Sequence, residues 1–181
     1  VAHNEEKKLF SCLEKLLLAD EIIVVLDKTN DDSKNIAKKF NSKIFHGSWD
    51  MEGDRRNFGL SKCKGEWILE VDADEHVSPK LFDEIRNVIQ TSQPGYFLIP
   101  FDNYIGRKRI RYGWGASWGV SAAPRLSHRG CKIWNRNQRI HPSLELKGHK
   151  YWLKNRIVHY VDDNINDMFK RLIRYTDEKA I

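Results

Sequence analysis

The stretch Glu66–Glu75, which reads Glu-Trp-Ile-Leu-Glu-Val-Asp-Ala-Asp-Glu, decides the fold of this chain. Its short run of apolar, partly β-branched side chains is typical of a strand buried in the middle of a sheet. A glycine precedes the run, and Ser78-Pro79 opens the next element. We therefore predict a central strand that brings Asp72 and Asp74 together at its carboxyl end, the edge where open α/β sheets bind their ligands.

Two neighbouring carboxylates repel each other unless a cation or a hydrogen-bonding ligand lies between them. No Lys or Arg is adjacent to Asp72 or Asp74 in the sequence. Hard oxygen ligands suit Mg²⁺ or Mn²⁺, and such an ion commonly takes substrate phosphates as its other ligands. The pair therefore predicts a divalent-metal site, and an acidic pair in an ordinary turn is the competing interpretation.

Strands and helices alternate through residues 1–94. The predicted strands ahead of the central one are Glu21–Asp27, Ser42–His46 and Val1-Ala2, which we expect to be the end of a strand whose beginning is missing. Helical patterns separate them, and a further helix begins at Ser78-Pro79 with a favoured cap and a proline at its first position. This alternation predicts an α/β fold with a Rossmann-like, mostly parallel sheet flanked by helices.

The pattern changes at Gly95. Short β-like runs separated by Gly, Pro and Asn predict mixed or antiparallel strands beyond it. Asn164 then caps a final amphipathic helix. Its apolar face carries Ile165, Met168, Phe169, Leu172 and Ile173, and its other face carries Lys170, Arg171, Arg174 and Lys179. We predict a single domain over residues 1–181, with a ligand-binding half at 1–94 and a mixed-β half with a closing helix at 95–181.

The composition favours anionic partners, because the 181 residues include 31 Lys and Arg against 25 Asp and Glu, a net charge of +6. This balance suits nucleotide phosphates, nucleic acid or peripheral contact with an anionic membrane, or a basic surface that serves only solubility. Three cysteines, none in a Cys-x-x-Cys pair, favour a reducing setting over structural zinc. No apolar run approaches the ~20 residues that span a bilayer, and no signal peptide is recognisable. We expect a cytoplasmic location, at most at the inner face of the membrane.

Polar residues end three predicted strands at one edge of the sheet: His3-Asn4-Glu5, Asp27, and the pair Asp72 and Asp74. With Arg-Arg-Asn-Phe-Gly-Leu, which starts at Arg55, and the central stretch itself, they carry a specific resemblance over the first half. The sequence is similar to the family 2 glycosyltransferases, which have the GT-A fold.

The second half resembles, more loosely, the subgroup that adds sugars to the lipopolysaccharide core of bacteria. The matching segments are Asn103–Arg107, Arg125-Leu126, His141, Leu153–Asn155 and Val158–Tyr160. The resemblance implies a metal-dependent, inverting hexosyltransferase that takes a sugar from a nucleotide diphosphate, with a UDP-sugar as the expected donor. The acceptor would be a glycan or lipid-linked saccharide of the cell envelope, and residues 95–181 would form the acceptor half.

The resemblance also implies donor-binding roles residue by residue. Ala2, Asn4 and Glu5 would line the pocket for the base and ribose. Asp27 would accept a hydrogen bond from the base, and Asp72 would contact the ribose.

Three further residues would serve the diphosphate and its metal. Arg56 would pair with the pyrophosphate or with the Asp-x-Asp carboxylates, because Arg suits planar, charge-assisted contacts. Asp74 would hold Mn²⁺ or Mg²⁺, and His159, at the end of a strand, would be a further metal ligand. A hydrogen-bonded packing role is the alternative for this histidine. Metal and Arg together would stabilise the charge that develops on the departing nucleotide diphosphate.

The acceptor side departs from the family pattern. The subgroup typically has Glu directly after the residue matched to His141, where this chain has Pro142. It often has an acid shortly before the Arg-Leu pair, where this chain reads Ser-Ala-Ala-Pro. The remaining candidates for the catalytic base are His141, Glu145 and Asp102. His141 is the first choice, because an imidazole can hold a proton near neutral pH.

Other functions remain open at this point. A non-catalytic nucleotide-sugar or glycan-binding module is favoured by the missing acids and opposed by the paired Asp72 and Asp74. A nucleotidyltransferase would need a Gly-rich, basic loop after the first strand, and His3–Glu6 has different chemistry. Nucleic-acid binding would rest only on charge and on aromatic residues at 104–136, without a recognition motif. We therefore expect no nucleic-acid partner.

Overall fold

The computed structural model describes residues 1–111, 121–137, 142–169 and 173. The helices are α1 (Glu6–Glu14), α2 (Ser33–Lys39), α3 (Glu52–Lys62) and α4 (Pro79–Ile89), and a further helical segment covers 165–169. The strands are β1 (Ile23–Asp27), β2 (Lys43–Gly47), β3 (Trp67–Leu69), β4 (Glu75–His76), β5 (Gly95–Ile105), β6 (Lys108–Arg109), β7 (Ala122–His128), β8 (Lys132–Trp134), β9 (Leu144–Leu146), β10 (His149–Trp152) and β11 (Ile157–Asp162). This α/β architecture confirms the predicted fold class.

The first strands are parallel, as the alternation predicts. β1 pairs with β2 from Ile23 opposite Lys43 to Asp27 opposite Gly47, and Ala2 forms a parallel bridge with Leu26 on the other side of β1. α1 and α2 cover this layer through a buried cluster. Its members are Ala2, Leu9, Leu13, Val24, Leu26, Ile36 and Ala37. The carboxyl end of β1 and the start of the Asn4 loop therefore lie at the same edge.

The larger sheet is more mixed than the alternation predicts. Its order is β3-β7-β5-β11-β4, with β6 and β10 also paired to β5. β7 is antiparallel to both of its neighbours, whereas β10 and β11 are parallel to β5. The physical reason is that β7, from the second half of the chain, pairs with β3 from the first half. Local alternation in the first half carries no signal for that pairing.

The strand predicted to be central, β3, is shorter than the stretch that suggested it, and it lies at one end of the larger sheet, where β7 is its paired neighbour. Regular pairing stops at Leu69, and the chain leaves the sheet before it forms β4 at Glu75–His76. Glu70 N–H still bonds the Arg125 carbonyl oxygen, at 2.8 Å, and Glu75 N–H bonds the Asp72 carbonyl oxygen, at 3.0 Å. Residues 70–74 therefore form a loop fixed at both ends, and this loop carries the acidic pair.

The main core lies between α4 and the larger sheet. α4 begins as predicted, with Pro79 in its first turn and the Ser78 hydroxyl oxygen accepting a hydrogen bond from Leu81 N–H at 3.2 Å. It buries Leu81, Phe82 and Ile85 against a cluster from the strands. Members of that cluster include Phe97, Ile99, Phe101, Leu126 and Ile157. Gly95 lets β10 approach β5, since a Cβ there would lie 2.1 Å from the His149 carbonyl oxygen.

α3 connects the β1–β2 sheet to a separate antiparallel hairpin formed by β8 and β9. It packs against β1 on one side and against β8 on the other. A cavity of about 240 Å³ lies between β1 and β3, lined in part by Ile23, Val25, Trp67 and Leu69. Within the ranges described, no helix has the length and apolar character needed to cross a membrane.

Candidate active site

Asp72 lies between two arginines. Arg56 Nη1 donates to Asp72 Oδ1 at 3.1 Å, and Arg125 Nη2 donates to Asp72 Oδ2 at 2.6 Å. Burial alone would raise the pKa of Asp72, but the Arg125 and Arg56 guanidinium groups hold that pKa well below its ordinary value. Asp72 is therefore an ionised carboxylate at neutral pH, fixed by charge-assisted hydrogen bonds from both halves of the chain.

Glu75 shapes the loop that carries the acidic pair. The residue is 1% exposed, and its Oε2 accepts a hydrogen bond from Asp72 N–H at 3.0 Å. Arg125 also donates to Glu75 Oε1. Burial raises the pKa of Glu75 to about 7; Arg125 opposes this rise and the Asp72 charge adds to it. Sequence reasoning quoted Glu75 but gave it no role, because its arginine partner is distant in sequence.

Asp74 faces His159 across the end of the loop. His159 Nε2 lies 3.7 Å from Asp74 Oδ2, and Tyr160 N–H bonds the Asp74 carbonyl oxygen at 2.9 Å. The other ring nitrogen of His159, Nδ1, lies 2.9 Å from Asn103 Oδ1. The structure thus brings together the two residues predicted as metal ligands. Among the described residues there is no group of three or more His, Cys, Asp or Glu side chains able to hold a metal ion.

The side chains of Asp74 and His159 are of types that bind divalent ions. A carboxylate oxygen and an imidazole nitrogen are ligands that Mn²⁺ accepts, and an outer hydrogen bond such as the one that Asn103 Oδ1 accepts from the ring commonly orients a ligating histidine. Their separation of 3.7 Å is too long for a direct hydrogen bond, so the two groups remain available to a cation between them. Oxygens of a bound phosphate would have to complete the coordination.

Asp27 ends β1 as a buried carboxylate. Its Oδ1 accepts a hydrogen bond from Trp49 N–H at 3.0 Å, and its Oδ2 accepts one from Arg55 Nη1 at 2.9 Å. Arg55 Nε is buried and has no hydrogen-bond partner among the described residues. Each Asp27 oxygen keeps a second lone pair, so the position predicted to read a nucleobase can still accept a hydrogen bond.

The loop after Ala2 lies beside Asp27. Ala2 is buried, and its carbonyl oxygen accepts a hydrogen bond from Asp27 N–H at 3.0 Å. Asn4 has a positive φ of 53°, and its Oδ1 accepts a hydrogen bond from Asn30 N–H at 3.0 Å. This left-handed conformation is one that Asn tolerates better than most residues, and it turns the chain into α1.

Glu5 belongs to the same acidic surroundings. Burial raises the pKa of Glu5, Lys8 lowers it, and the Asp74 and Asp72 charges add to the rise. The structure therefore brings Asn4, Glu5, Asp72 and Asp74 to one edge, as their positions after predicted strands implied. The residues predicted to contact the nucleobase and ribose, Asn4 and Glu5, therefore lie near Asp74, the residue predicted to hold the metal.

Arg56 connects the acidic loop to a tryptophan that sequence reasoning missed. Arg56 Nε donates to Glu52 Oε1 at 2.7 Å, and its guanidinium carbon lies 4.8 Å from the centre of the Trp134 ring. Trp134 Nε1 donates to Glu70 Oε1 at 3.0 Å, and Glu70 forms an ion pair with the buried Lys132. The site wall is thus an alternating series of charges that continues from α3 to β8.

Asn57 fixes the β8–β9 hairpin to α3. Its Nδ2 donates to the Trp134 carbonyl oxygen at 2.8 Å, and its Oδ1 accepts from Trp134 N–H at 2.9 Å. Gly53 permits the close approach, since a Cβ there would lie 2.0 Å from the Asn135 carbonyl oxygen. The Arg-Arg-Asn segment found in the sequence therefore supplies one residue each to Asp27, to Asp72 and to this hairpin.

Two of the three candidates for the catalytic base, Glu145 and Asp102, lie in the part of the chain that the structure describes. His141 lies outside the described residues. Glu145 is on β9, where its exposed carboxylate pairs with Lys147 Nζ at 3.0 Å. Asp102 forms an ion pair with Arg109 and lies 3.7 Å from Arg156 Nε. In the described part of the chain, the hydrogen bonds and ion pairs of Glu145 and Asp102 are to these basic residues and not to the acidic pair.

A family assignment follows from comparison with known proteins. The sequence model described as glycosyl transferase family 2 matches residues 1–114. The chain belongs to glycosyl transferase family 2. The matched region of this family 2 chain contains Asp27, Arg56, Asp72 and Asp74, and it ends before Glu145 and His159.

Curated relatives match parts of this family 2 chain. An uncharacterized glycosyltransferase of Rickettsia typhi is 30% identical over 99 residues, which are 54% of this chain and 34% of the relative. The lipopolysaccharide core biosynthesis glycosyltransferase LpsC of Rhizobium meliloti is 21% identical over 157 residues, which are 80% of this chain and 55% of LpsC. The chain thus spans 34% of the length of the first relative and 55% of the second.

Solved structures show that this family 2 chain has the GT-A fold. A crystal structure of Staphylococcus aureus TarS superposes with a TM-score of 0.70 at 16% identity and covers 88% of this chain and 58% of that one. A complex of TarS with UDP-GlcNAc gives a TM-score of 0.64 at 17% identity, covering 88% of this chain and 56% of that one. The predicted fold is confirmed, and identities this low carry no further conclusion about residues.

Proposed function

We propose that this chain carries the donor site of a metal-dependent, inverting glycosyltransferase. It would transfer a sugar from a UDP-sugar to a glycan or lipid-linked saccharide of the cell envelope, at the inner face of the membrane. The observation that carries the proposal is the arrangement of Asp72 and Asp74, with one carboxylate fixed by two arginines and the next facing His159 at 3.7 Å.

The donor class is supported by the site and by the relatives together. The acidic loop needs a cation to balance the charge of Asp74. A nucleotide diphosphate with a bound divalent ion supplies that cation together with phosphate oxygens that complete its coordination. TarS has been crystallised with UDP-GlcNAc, which supports a UDP-sugar here. The name of LpsC supports an acceptor from the cell envelope.

The base and ribose would bind at the edge formed by Asp27, Asn4 and Glu5. Asp27 keeps acceptor capacity on both carboxylate oxygens, which suits an N–H of a pyrimidine base. The backbone around Ala2 would form the wall against which the base packs. Asp72 would accept a hydrogen bond from a ribose hydroxyl, since its two arginines keep it ionised.

Asp74 and His159 would hold the metal. Asn103 would keep His159 oriented, with the Nε2 lone pair directed toward the ion. When bound, a divalent ion stabilises the negative charge that develops on the departing diphosphate. Arg56 lies beside Asp72 on the same edge and would share that charge through its guanidinium group.

The acceptor hydroxyl would attack the anomeric carbon from the side opposite the diphosphate, so that the configuration inverts. A base must remove the hydroxyl proton, and we retain His141 as the first candidate, with Glu145 and Asp102 behind it. General bases typically contribute about 10²–10⁴-fold in rate. A weak base would therefore slow the enzyme and restrict its acceptors without abolishing transfer.

A thermal-shift panel tests donor binding. UDP, UDP-glucose, UDP-galactose and UDP-GlcNAc are each added with Mn²⁺, with Mg²⁺ or with a chelator. A ligand at about 100 times its dissociation constant stabilises the folded chain by about 2.7 kcal/mol. We expect such a shift only with nucleotide and metal together, and the absence of a shift with every UDP ligand contradicts the donor assignment.

A second measurement separates a transferase from a binding module. A donor that gives a shift is incubated with lipid-linked and core-oligosaccharide acceptors, and release of UDP is followed with and without each acceptor. Acceptor-dependent release supports transfer. If donor binds but no acceptor elicits transfer, the chain acts as a nucleotide-sugar-binding module, which is the alternative that Pro142 favours.

A further inference from the structure

An open cavity separates the C-terminal helical segment from the β5–β6 hairpin. Its volume is about 1080 Å³, and its apolar wall includes Ile105, Ile110, Met168 and Phe169. Basic side chains of residues 108–111 line the same opening. This opening therefore combines an apolar wall with cations, which is a different chemistry from the acidic loop of the donor site.

The helical segment leaves an apolar stripe uncovered. Ile165 is 61% exposed, Phe169 is 47% exposed and Ile173 is 61% exposed, whereas Met168 is 5% exposed. Residues four apart lie on one face of a helix, so Ile165 and Phe169 form one line on the segment at 165–169, and Ile173 is a further exposed apolar residue in helical conformation. Met168 attaches the segment to the fold, and the neighbouring stripe remains in contact with solvent. Exposed apolar stripes of this kind are a mark of interaction surfaces.

The hairpin beside the stripe is strongly basic. Between Ile105 and Arg111 the chain reads Ile-Gly-Arg-Lys-Arg-Ile-Arg, with four cations and no acid. Arg107, Lys108 and Arg111 are exposed, whereas Arg109 is paired with Asp102. The acidic residues on the other side of the cavity are Asp163 and Asp167; Asp163 lines the opening, and Asp167 interacts with Asn164 at the helix start.

We propose that the apolar stripe (Ile165, Phe169 and Ile173) and the basic hairpin (Ile105–Arg111) together form a docking surface for an anionic lipid bilayer. The stripe would enter the boundary between headgroups and acyl chains, and the cations would lie among the anionic headgroups. Lys170, Arg171, Arg174 and Lys179 follow in the sequence and add to the basic character of this end of the chain. Each Lys or Arg close to such a surface adds about fivefold to partitioning.

Both parts of the docking surface continue strands that reach the candidate active site. Ile110 N–H bonds the Asn103 carbonyl oxygen at 2.8 Å, so the hairpin is attached to the residue that orients His159. β11 passes from His159 directly into the helical segment. Docking through this surface would therefore hold the mouth of the site close to the bilayer. The proposal concerns membrane binding alone and does not depend on sugar transfer.

Vesicle flotation tests the docking surface with the chain as it is. Vesicles are made of phosphatidylcholine, or of phosphatidylcholine with about one third phosphatidylglycerol. We expect the chain to float with the anionic vesicles only, and to be released at about 0.5 M salt, where the Debye length falls below about 5 Å. Absence of binding to the anionic vesicles at low salt, or equal binding to both vesicle types, overturns the proposal.

Two paired variants locate the surface. Lys108→Glu with Arg111→Glu should reduce partitioning at least tenfold, and Lys34→Glu with Lys38→Glu on α2 is the control with the same change in net charge. Ile165→Ser with Phe169→Ser should also reduce it, against the control Leu17→Ser with Leu18→Ser at exposed apolar residues elsewhere. Circular dichroism and the thermal midpoint verify that each variant is folded.

If the control variants lose binding as strongly as the surface variants, binding reflects net charge or exposed apolar area in general and not this surface, and the proposal is wrong. The alternative is that a second copy of the chain covers the stripe. Analytical ultracentrifugation without vesicles tests this by measuring the oligomeric state. A parent chain that is dimeric, and that becomes monomeric with Ile165→Ser and Phe169→Ser, would show that a second copy covers the stripe, which also overturns the proposal.

Discussion

His159 Nε2 and Asp74 Oδ2 face each other at 3.7 Å, while His159 Nδ1 lies 2.9 Å from Asn103 Oδ1. If Nδ1 carries the proton that Asn103 accepts, the neutral imidazole presents a lone pair to a carboxylate. Two acceptors that face each other in this way need a proton or a metal ion between them. The pair is therefore arranged for a cation, and its chemistry can be tested one residue at a time.

Asp74→Ala should remove the Mn²⁺-dependent part of the thermal shift given by UDP, because it removes the carboxylate that lies 3.7 Å from His159 Nε2. The midpoint without metal should change little, since Asp74 is partly exposed. Asp83→Ala, at an exposed acid on α4, is the control. A Mn²⁺-dependent shift that survives in Asp74→Ala would exclude Asp74 as a metal ligand.

Asn103→Ala should weaken Mn²⁺ binding by about 10–100-fold, because it removes the outer hydrogen bond that fixes the orientation of His159. The measurement is calorimetric titration of Mn²⁺ in the presence of UDP. Asn35→Ala, at an exposed position on α2, is the matched control. Unchanged affinity would show that His159 is held by its packing against Phe101 alone.

Asp27→Asn should reduce the preference of the chain for UDP over ADP. The amide preserves the shape of the side chain, but it loses the charge that pairs with Arg55 and one of its two acceptor oxygens. Dissociation constants for both nucleotides with Mn²⁺ give the ratio. Asp32→Asn, an exposed neighbour of the same loop, should leave the ratio unchanged. Equal affinities for UDP and ADP in the parent would contradict base reading by Asp27.

Glu75→Gln should flatten the dependence of stability on pH above about pH 5. Since burial raises the pKa of Glu75 to about 7, the folded chain binds this proton more tightly than the unfolded chain does. Its contribution to stability is therefore complete below the ordinary value of 4.5 and is lost as pH rises through about 7. The loss should be about 2–3 kcal/mol, measured by urea unfolding at about pH 5 and about pH 7.5.

Asp72 does not obscure that measurement. The arginines beside it lower its pKa below the ordinary value of 3.8, so its contribution is complete above that pH and is lost only on further acidification. Asp72→Asn is nevertheless unsuitable as a control, since it disturbs Arg125. Glu66→Gln, at an exposed acid before β3, is the better comparison. Parallel pH profiles for the parent and Glu75→Gln would refute the raised pKa.

Asn57→Ala should destabilise the chain by about 2 kcal/mol, because it leaves both backbone groups of Trp134 without their partner. Urea unfolding measures the free energy, and Ser61→Ala on the same helix, which removes only a local bond, is the control. The tryptophan emission of the chain, to which Trp134 contributes, should also shift to longer wavelength as the hairpin loosens. A change equal to that of Ser61→Ala would mean that packing alone holds the hairpin.

The acidic loop was predictable because its signal is local. An apolar run that ends in Asp72 and Asp74 indicates a strand end whatever the rest of the chain does, and the same holds for Asp27 after β1. The helix at Pro79 was predictable for a similar reason, since Ser78 and Pro79 occupy adjacent cap positions. These predictions required no knowledge of long-range pairing.

The partners of the loop could not be predicted in the same way. Arg125 and Trp134 reach Asp72, Glu75 and Glu70 only because β7 and β8 return to β3 and α3, far along the chain. The pairing of β10 with β5 has no local signal either, since it depends on the close approach at Gly95. Charge complementarity between distant elements has no periodicity to detect.

Arg125 comes from β7 yet neutralises Asp72 and Glu75 of the preceding half. In a recombinant chimera that exchanges residues 95–181 between family members, the acidic loop comes from one parent and its counter-ion at position 125 from the other. The chimera therefore keeps this counter-ion only if the incoming segment carries it. Removing it would leave Arg56 as the remaining arginine on Asp72 and a buried Glu75 with no cation, a cost typically of about 3–5 kcal/mol. Successful exchange of acceptor specificity thus requires that the incoming segment supply an arginine at position 125, however well its other surfaces fit.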